Sequence, residues 1–183
     1  IGLDPDAKIL DDTGQWLLIR KNLDKFNLDY YKPLWKPTKS IKALTQHFSK
    51  LKDEAITPKE YLEYAENLTL NSENLDYIKK SLKEGAAEKE ILGLEIARVK
   101  EVAEAYHTYQ QLLQNDGSLD FGDLINYTME LFKKRPKILE QLRKQFKYIL
   151  VDEFQDTNWA QFELIKMLAG PDNNITVVGD DDQ

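Results

Sequence analysis

Tyr148 to Asn158 reads YILVDEFQDTN, four strand formers followed directly by the adjacent carboxylates of Asp152 and Glu153. Side chains alternate along an extended chain, so two neighbouring acids there are expected to face different partners. Hard carboxylate oxygens suit Mg²⁺, which keeps most of its waters and takes one or two carboxylates together with substrate phosphates. An apolar strand ending in Asp then Glu is the arrangement used in nucleotide hydrolysis, with one acid on the hydrated metal and the other on the attacking water. Acids also follow strands as plain helix caps, and the dipeptide alone leaves that reading open. A second apolar stretch, NITVVGD, ends in Asp180, Asp181 and Asp182. In open α/β sheets ligands bind at the carboxyl ends of strands, so both sets of acids stand where a ligand is expected. Together with Asp120, Asp123 and Asp156 they also admit a two-metal nuclease. The lysine that many such sites pair with their acids is missing from the pattern.

The elements that would position these acids are legible from periodicity. KYILVD, NWAQFELIKMLAG and NITVVGD read as strand, helix and strand, and unalternating apolar strands imply a parallel pair buried on both faces. Two strands do not make a stable parallel sheet alone, so neighbouring strands are expected elsewhere. Upstream, residues 1–120 read almost wholly as helix. Asp11 or Asp12 can cap a first helix, YYKPLWKPTK is a proline-broken loop, and Ile41, Leu44, Phe48 and Leu51 recur at helical spacing. In TPKE, Thr57 can cap, Pro58 suits the first helical position and Glu60 sits where a capping-box carboxylate reaches back. A weaker helix is expected near 73–84 and a long one from about Ala86 to Gln114, ended by NDG. Asp120 caps a helix over FGDLINYTMELFKK, and Pro136 opens the next. The expected fold is mainly α with a small parallel β portion: a helical part over 1–120 and an α/β part over 121–183.

Composition excludes several classes. With 42% hydrophobic and 31% charged residues over 183 positions, the chain is neither disordered nor fibrous. It has no cysteine, hence no disulfide or thiolate–metal site, and a reducing cytoplasm is the natural context. No apolar run approaches the roughly 20 residues of a membrane helix. It opens on Ile1 and stops at Gln183 just after a strand, which reads as a piece of a longer chain. The net charge of −7 speaks against a polyanionic partner until its distribution is considered. Residues 20–52 hold nine Lys or Arg against two Asp, with Tyr30, Tyr31, Trp35 and Phe48 interleaved, whereas 53–120 hold fifteen acids against seven bases. Local potential steers a polyanion. A solvated helical face with core aromatics is the plainer reading of the same segment, and docking of a protein through it makes the chain a non-enzymatic helical module. His47 and His107 stand singly within helices, as packed or surface residues rather than ligands.

The longer strings are more specific. VDEFQDTNWAQFELI followed by ITVVGDDDQ resembles motifs II and III of the UvrD/PcrA/Rep-type superfamily 1 DNA helicases, and SLDFGDLI resembles the segment that precedes motif II there. YHTYQQLL and DAKILDDTGQ are similar to the helical 1B subdomain of these enzymes. The resemblance implies most of subdomain 1B over 1–120 and a partial RecA-like domain 1A over 121–183. It implies that Asp152 coordinates Mg²⁺ on ATP, that Glu153 is the base for water attack on the γ-phosphate, and that Gln183 contacts the γ-phosphate. Gln155 and Asp156 belong to the surrounding polar network on this reading, and Asp180 and Asp182 to motif III. It also implies contacts to DNA at the junction of single strand and duplex, with Lys32, Trp35, Lys36 and Lys39 as candidates, in a cytoplasmic, nucleoid-associated protein of repair or replication. None of the eight glycines is followed by Lys, so the phosphate-binding loop of motif I is not here. The arginine-bearing motifs of a second RecA-like domain are missing too.

Overall fold

The computed structural model describes residues 2–3, 5–31, 37–68, 88–171 and 174–180. The helix expected near 73–84 lies outside these residues. The described chain is mainly helical with two small parallel sheets: β1 (Lys8–Leu10), α1 (Asp12–Lys21), a 3₁₀ turn at Leu23–Lys25, α2 (Pro37–Asp53), α3 (Pro58–Glu66), α4 (Glu88–Asp116), β2 (Ser118–Asp120), α5 (Phe121–Lys134), α6 (Pro136–Gln145), β3 (Ile149–Val151), a 3₁₀ turn at Phe154–Asp156, α7 (Trp159–Ala169) and β4 (Ile175–Val177). Two compact units are present, one of Ile1–Asp11, Ser49–Ala55 and Gly117–Gln183, the other of Asp12–Phe48 and Ile56–Asp116. These units do not follow a single cut at residue 120, because long-range pairing brings the first residues and the end of α2 in with the C-terminal segment.

The helical unit is held by an aromatic stack. Phe48 of α2 lies against Tyr106 and Tyr109 of α4, each pair of rings 5.2 Å apart and within 22° of parallel. All three side chains are buried, with Ile19, Ile41, Leu44, Ala65 and Leu113 around them in the core. Burying a tyrosine requires a partner for its hydroxyl, and Tyr106 donates to the Ile56 carbonyl at 3.1 Å. Phe48 is therefore a core residue, buried with Ile41, Leu44 and Leu51, the residues that recur at helical spacing. The capping box at α3 forms as the sequence predicts: Thr57 Oγ1 accepts from the Glu60 amide at 3.2 Å and Glu60 Oε2 accepts from the Thr57 amide at 2.9 Å. Thr57→Ala is expected to cost about 1 kcal/mol of stability, read as a lowered urea midpoint with an unchanged slope.

In the other unit β1 pairs parallel with β2, Ile9 opposite Leu119, and β3 pairs parallel with β4, Leu150 opposite Thr176. The first pair adds two strands to a stretch, 1–120, that reads almost wholly as helix. Lys8–Leu10 and Ser118–Asp120 are three residues each, too short to show a period of two. The second pair has the predicted direction and helical crossover, but not the predicted burial. Leu150 is 78% exposed, and Tyr148, Val177 and Val178 are exposed as well. A sheet of two strands covers little of its own surface, so the apolar composition of the strands is not matched by packing. Pro37, Thr38 and Lys39, expected in the loop, form the first turn of α2, where proline's missing N–H costs nothing.

Candidate active site

The backbone ladder between β3 and β4 continues beyond the strands. The Val178 amide donates to the Val151 carbonyl at 2.8 Å, and the Phe154 amide donates to the Val178 carbonyl at 3.0 Å. Asp152 and Glu153 therefore lie at the carboxyl end of β3, beside the end of its parallel partner β4. A left-handed residue at Glu153 replaces the strand alternation expected from sequence. Glu153 takes φ 51° and ψ 43°, the left-handed region, and a 3₁₀ turn follows in which the Asp156 amide donates to the Glu153 carbonyl at 2.9 Å. A glutamate there is strained by about 1–2 kcal/mol relative to ordinary backbone, and such strain persists only where surrounding contacts impose it.

Those contacts are specific. Asp152 Oδ1 accepts from the Glu153 amide at 3.0 Å. Glu153 Oε2 accepts from Gln155 Nε2 at 2.7 Å, and Gln155 Oε1 accepts from the Asp180 amide at 3.0 Å. Both Asp152 and Glu153 are exposed to solvent. One exposed aspartate matches Mg²⁺, which dehydrates reluctantly and needs few protein oxygens when phosphates supply others. Asp181, Asp182 and Gln183 lie outside the described residues.

Two arrangements missed by sequence reasoning lie in the same unit. Asn158 caps α7, accepting from the Gln161 amide at 2.9 Å, and donates from Nδ2 to Asp53 Oδ1 at 2.7 Å. Burial and the neighbouring Glu54 charge push the Asp53 carboxyl above its ordinary value, against the lowering effect of Asn158. Next to it, Lys52 Nζ donates to Asp120 Oδ2 at 2.6 Å and to Asp123 Oδ1 at 2.8 Å, with all three side chains nearly fully buried. Asp120 and Asp123 also form the capping box that starts α5. Gly122 leaves room for the lysine stem, since a Cβ there would lie 2.7 Å from Lys52 Cβ. A lysine does therefore stand beside two of the acids considered for a nuclease. It uses them as buried counter-ions, and among the described residues no group of three or more His, Cys, Asp or Glu side chains is gathered as a metal cage. Lys52 likewise drops out of the basic segment as a surface charge.

Of the candidate nucleic-acid contacts, Lys39 is exposed on α2, as is Lys42 three residues on. Lys32, Trp35 and Lys36 lie outside the described residues. The chain entering that segment is held by α4: Glu101 accepts from the amides of Tyr30 and Tyr31 at 2.9 and 2.8 Å, and the Arg98 guanidinium lies 4.4 Å from the Tyr30 ring centre. Tyr30 is 55% exposed. His47 bonds the Tyr61 hydroxyl and His107 bonds Gln111, both within helices. No described helix is long and apolar enough to cross a membrane.

Comparison with known proteins agrees with the motif reading. The chain is 33% identical over 183 residues to the ATP-dependent DNA helicase PcrA of Staphylococcus aureus, covering all of this chain and 20% of that protein. It is 31% identical over 185 residues to the ATP-dependent DNA helicase PcrA of Leuconostoc citreum, and 33% identical over 183 residues to DNA helicase II of Haemophilus influenzae, with the same coverage. The chain thus spans about a fifth of the length of these relatives. The family described as the UvrD/REP helicase N-terminal domain matches residues 1–183. Matched from its first residue to its last, the chain belongs to the UvrD/REP helicase family.

Proposed function

We propose that these residues serve within a longer ATP-driven DNA translocase and helicase, coupling Mg-ATP hydrolysis to movement on single-stranded DNA and duplex unwinding in repair or replication. The observation that carries the reading is the pair of acids at the end of β3, beside its parallel partner β4, with Glu153 turned by a left-handed backbone and its carboxylate bonded by Gln155. Asp152 would hold Mg²⁺ on the nucleotide, and the metal, when bound, neutralises charge on the phosphates. Glu153 accepts the proton of the attacking water. Gln183 meets the γ-phosphate on this reading, and residues 1–120 with 121–183 correspond to subdomain 1B and part of domain 1A. Positioning and charge stabilisation supply most of the catalysis of phosphoryl transfer, so the 183 residues without a phosphate-binding loop are expected to turn over no ATP. The exposed apolar faces of β3 and β4 support the idea that further chain covers them.

Lys39, with Lys32, Trp35 and Lys36, is assigned to DNA at the junction of single strand and duplex. Reversing Lys32, Lys36 and Lys39 to Glu is expected to weaken binding of a tailed duplex and to flatten its salt dependence, by a slope of about one per lost phosphate contact. Unchanged affinity and slope would move the DNA face elsewhere. The overall reading is tested by strand separation of a tailed duplex by the whole helicase chain with Mg-ATP. Asp152→Asn should abolish unwinding while DNA binding persists, and unwinding that survives this change would remove Asp152 from the metal site.

A further inference from the structure

We propose that Gln155 is a positioning residue that makes the orientation of the Glu153 carboxylate depend on the segment leaving β4. The inference rests on Glu153 as base. The Gln155 side chain bridges two partners of opposite kind. Its amide nitrogen donates to Glu153 Oε2 at 2.7 Å, and its amide oxygen accepts from the Asp180 backbone N–H at 3.0 Å. A carboxylate only accepts and a backbone amide only donates, so a single orientation of the amide satisfies both.

Gly179 brings the backbone after β4 close to the Gln155 amide oxygen. A Cβ added at Gly179 would stand 2.9 Å from Gln155 Oε1 and 3.4 Å from Phe154 Cβ. Gly179 has no positive φ, so its smallness serves the close approach of Gln155 and not a backbone requirement. The backbone bond from the Phe154 amide to the Val178 carbonyl, at 3.0 Å, ties the same two segments on the other side. A shift of Gly179–Asp180 therefore draws on the oxygen end of Gln155 and turns its nitrogen end away from Glu153. Whatever the end of β4 contacts is thereby felt at the base, one side chain away.

The consequence is a fault in turnover without a fault in binding. In the whole helicase chain, Gln155→Ala is expected to lower kcat for ATP by about 10- to 100-fold, since small misplacement of a catalytic group costs on that order. KM for Mg-ATP should stay within about threefold, because Asp152 and the phosphate contacts are untouched. Stimulation of turnover by a poly(dT) single strand should fall with kcat. Gln155→Glu keeps an acceptor for Asp180 but loses the donor to Glu153, and should be as impaired as the alanine variant. Gly179→Ala should lower kcat in the same direction by crowding Gln155, and should add nothing further in the Gln155→Ala background.

Glu153→Gln measured alongside separates the two claims. If Glu153→Gln keeps wild-type turnover, the base assignment fails and this inference with it. If Glu153→Gln is inactive while Gln155→Ala and Gln155→Glu keep wild-type kcat, only the role of Gln155 is overturned. Should Gln155→Ala not fold, Gly179→Ala with nucleotide binding intact decides: wild-type kcat overturns the link and reduced kcat supports it. Strict additivity of the two substitutions would also overturn it.

Discussion

Glu153→Gln in the whole helicase chain is expected to bind Mg-ATP within a few-fold of the wild type and to hydrolyse it about 10³-fold more slowly, the middle of the range for loss of a general base. The substitution keeps the length of the side chain and a carbonyl oxygen to accept from Gln155 Nε2, the 2.7 Å partner of the carboxylate. It removes the ability to take a proton. Asp152, bonded to the Glu153 backbone amide and not to its side chain, keeps its place, so binding and chemistry separate. Nucleotide affinity from equilibrium titration and phosphate release from rapid mixing check the two halves. Loss of affinity in parallel with turnover would make Glu153 a binding residue.

The second large effect concerns stability. Lys52→Met would leave Asp120 and Asp123, both nearly fully buried, without their ammonium partner. Breaking a buried ion pair by removing one member costs about 3–5 kcal/mol, because a charge remains in low dielectric. Burial already holds the Asp123 carboxyl above its ordinary range, with Lys52 opposing that shift and the Asp120 charge adding to it. The sign of the pH dependence follows. A carboxyl whose folded pKa is raised is best tolerated below its unfolded value and becomes less so as pH rises through the folded value. Removing Lys52 strengthens the raising effects, so the destabilisation should be greatest at neutral pH and shrink as pH falls into the carboxylate range. Adding Asp123→Asn should return part of the loss at neutral pH. Urea denaturation at several pH values measures this, and a pH-independent loss would point to packing of the lysine stem in place of its charge.

Much of the chemistry was legible in the linear sequence because it depends on neighbours. The capping boxes at Thr57 and Asp120 form from residues three apart, and the end of α4 is marked by Gly117 at φ 64°. The parallel direction of β3 and β4 followed from a helix between two apolar runs. What stayed hidden depends on partners far along the chain. Lys52 finds aspartates 68 and 71 residues away, and in sequence it is one more charge in a basic stretch. Strands β1 and β2 become strands only by pairing across more than a hundred residues. The Asp152–Glu153 dipeptide was read as two acids set apart by strand alternation, whereas the backbone at Glu153 is left-handed. Nothing in residue type announces that conformation, because glutamate has no preference for it. Gln155 was placed in the polar network by resemblance, while its bridge to Asp180 needed the strand register.

Phosphate release from ATP and integrity of a tailed DNA duplex, followed in the same reaction of the whole helicase chain, test most directly whether these acids serve a nucleotide. The account predicts Mg²⁺-dependent phosphate release that rises with single-stranded DNA, separated strands of unchanged length, and loss of release with Glu153→Gln. Shortened strands appearing without ATP, abolished by the same substitution, would contradict it and return the acids to metal-dependent cleavage of DNA.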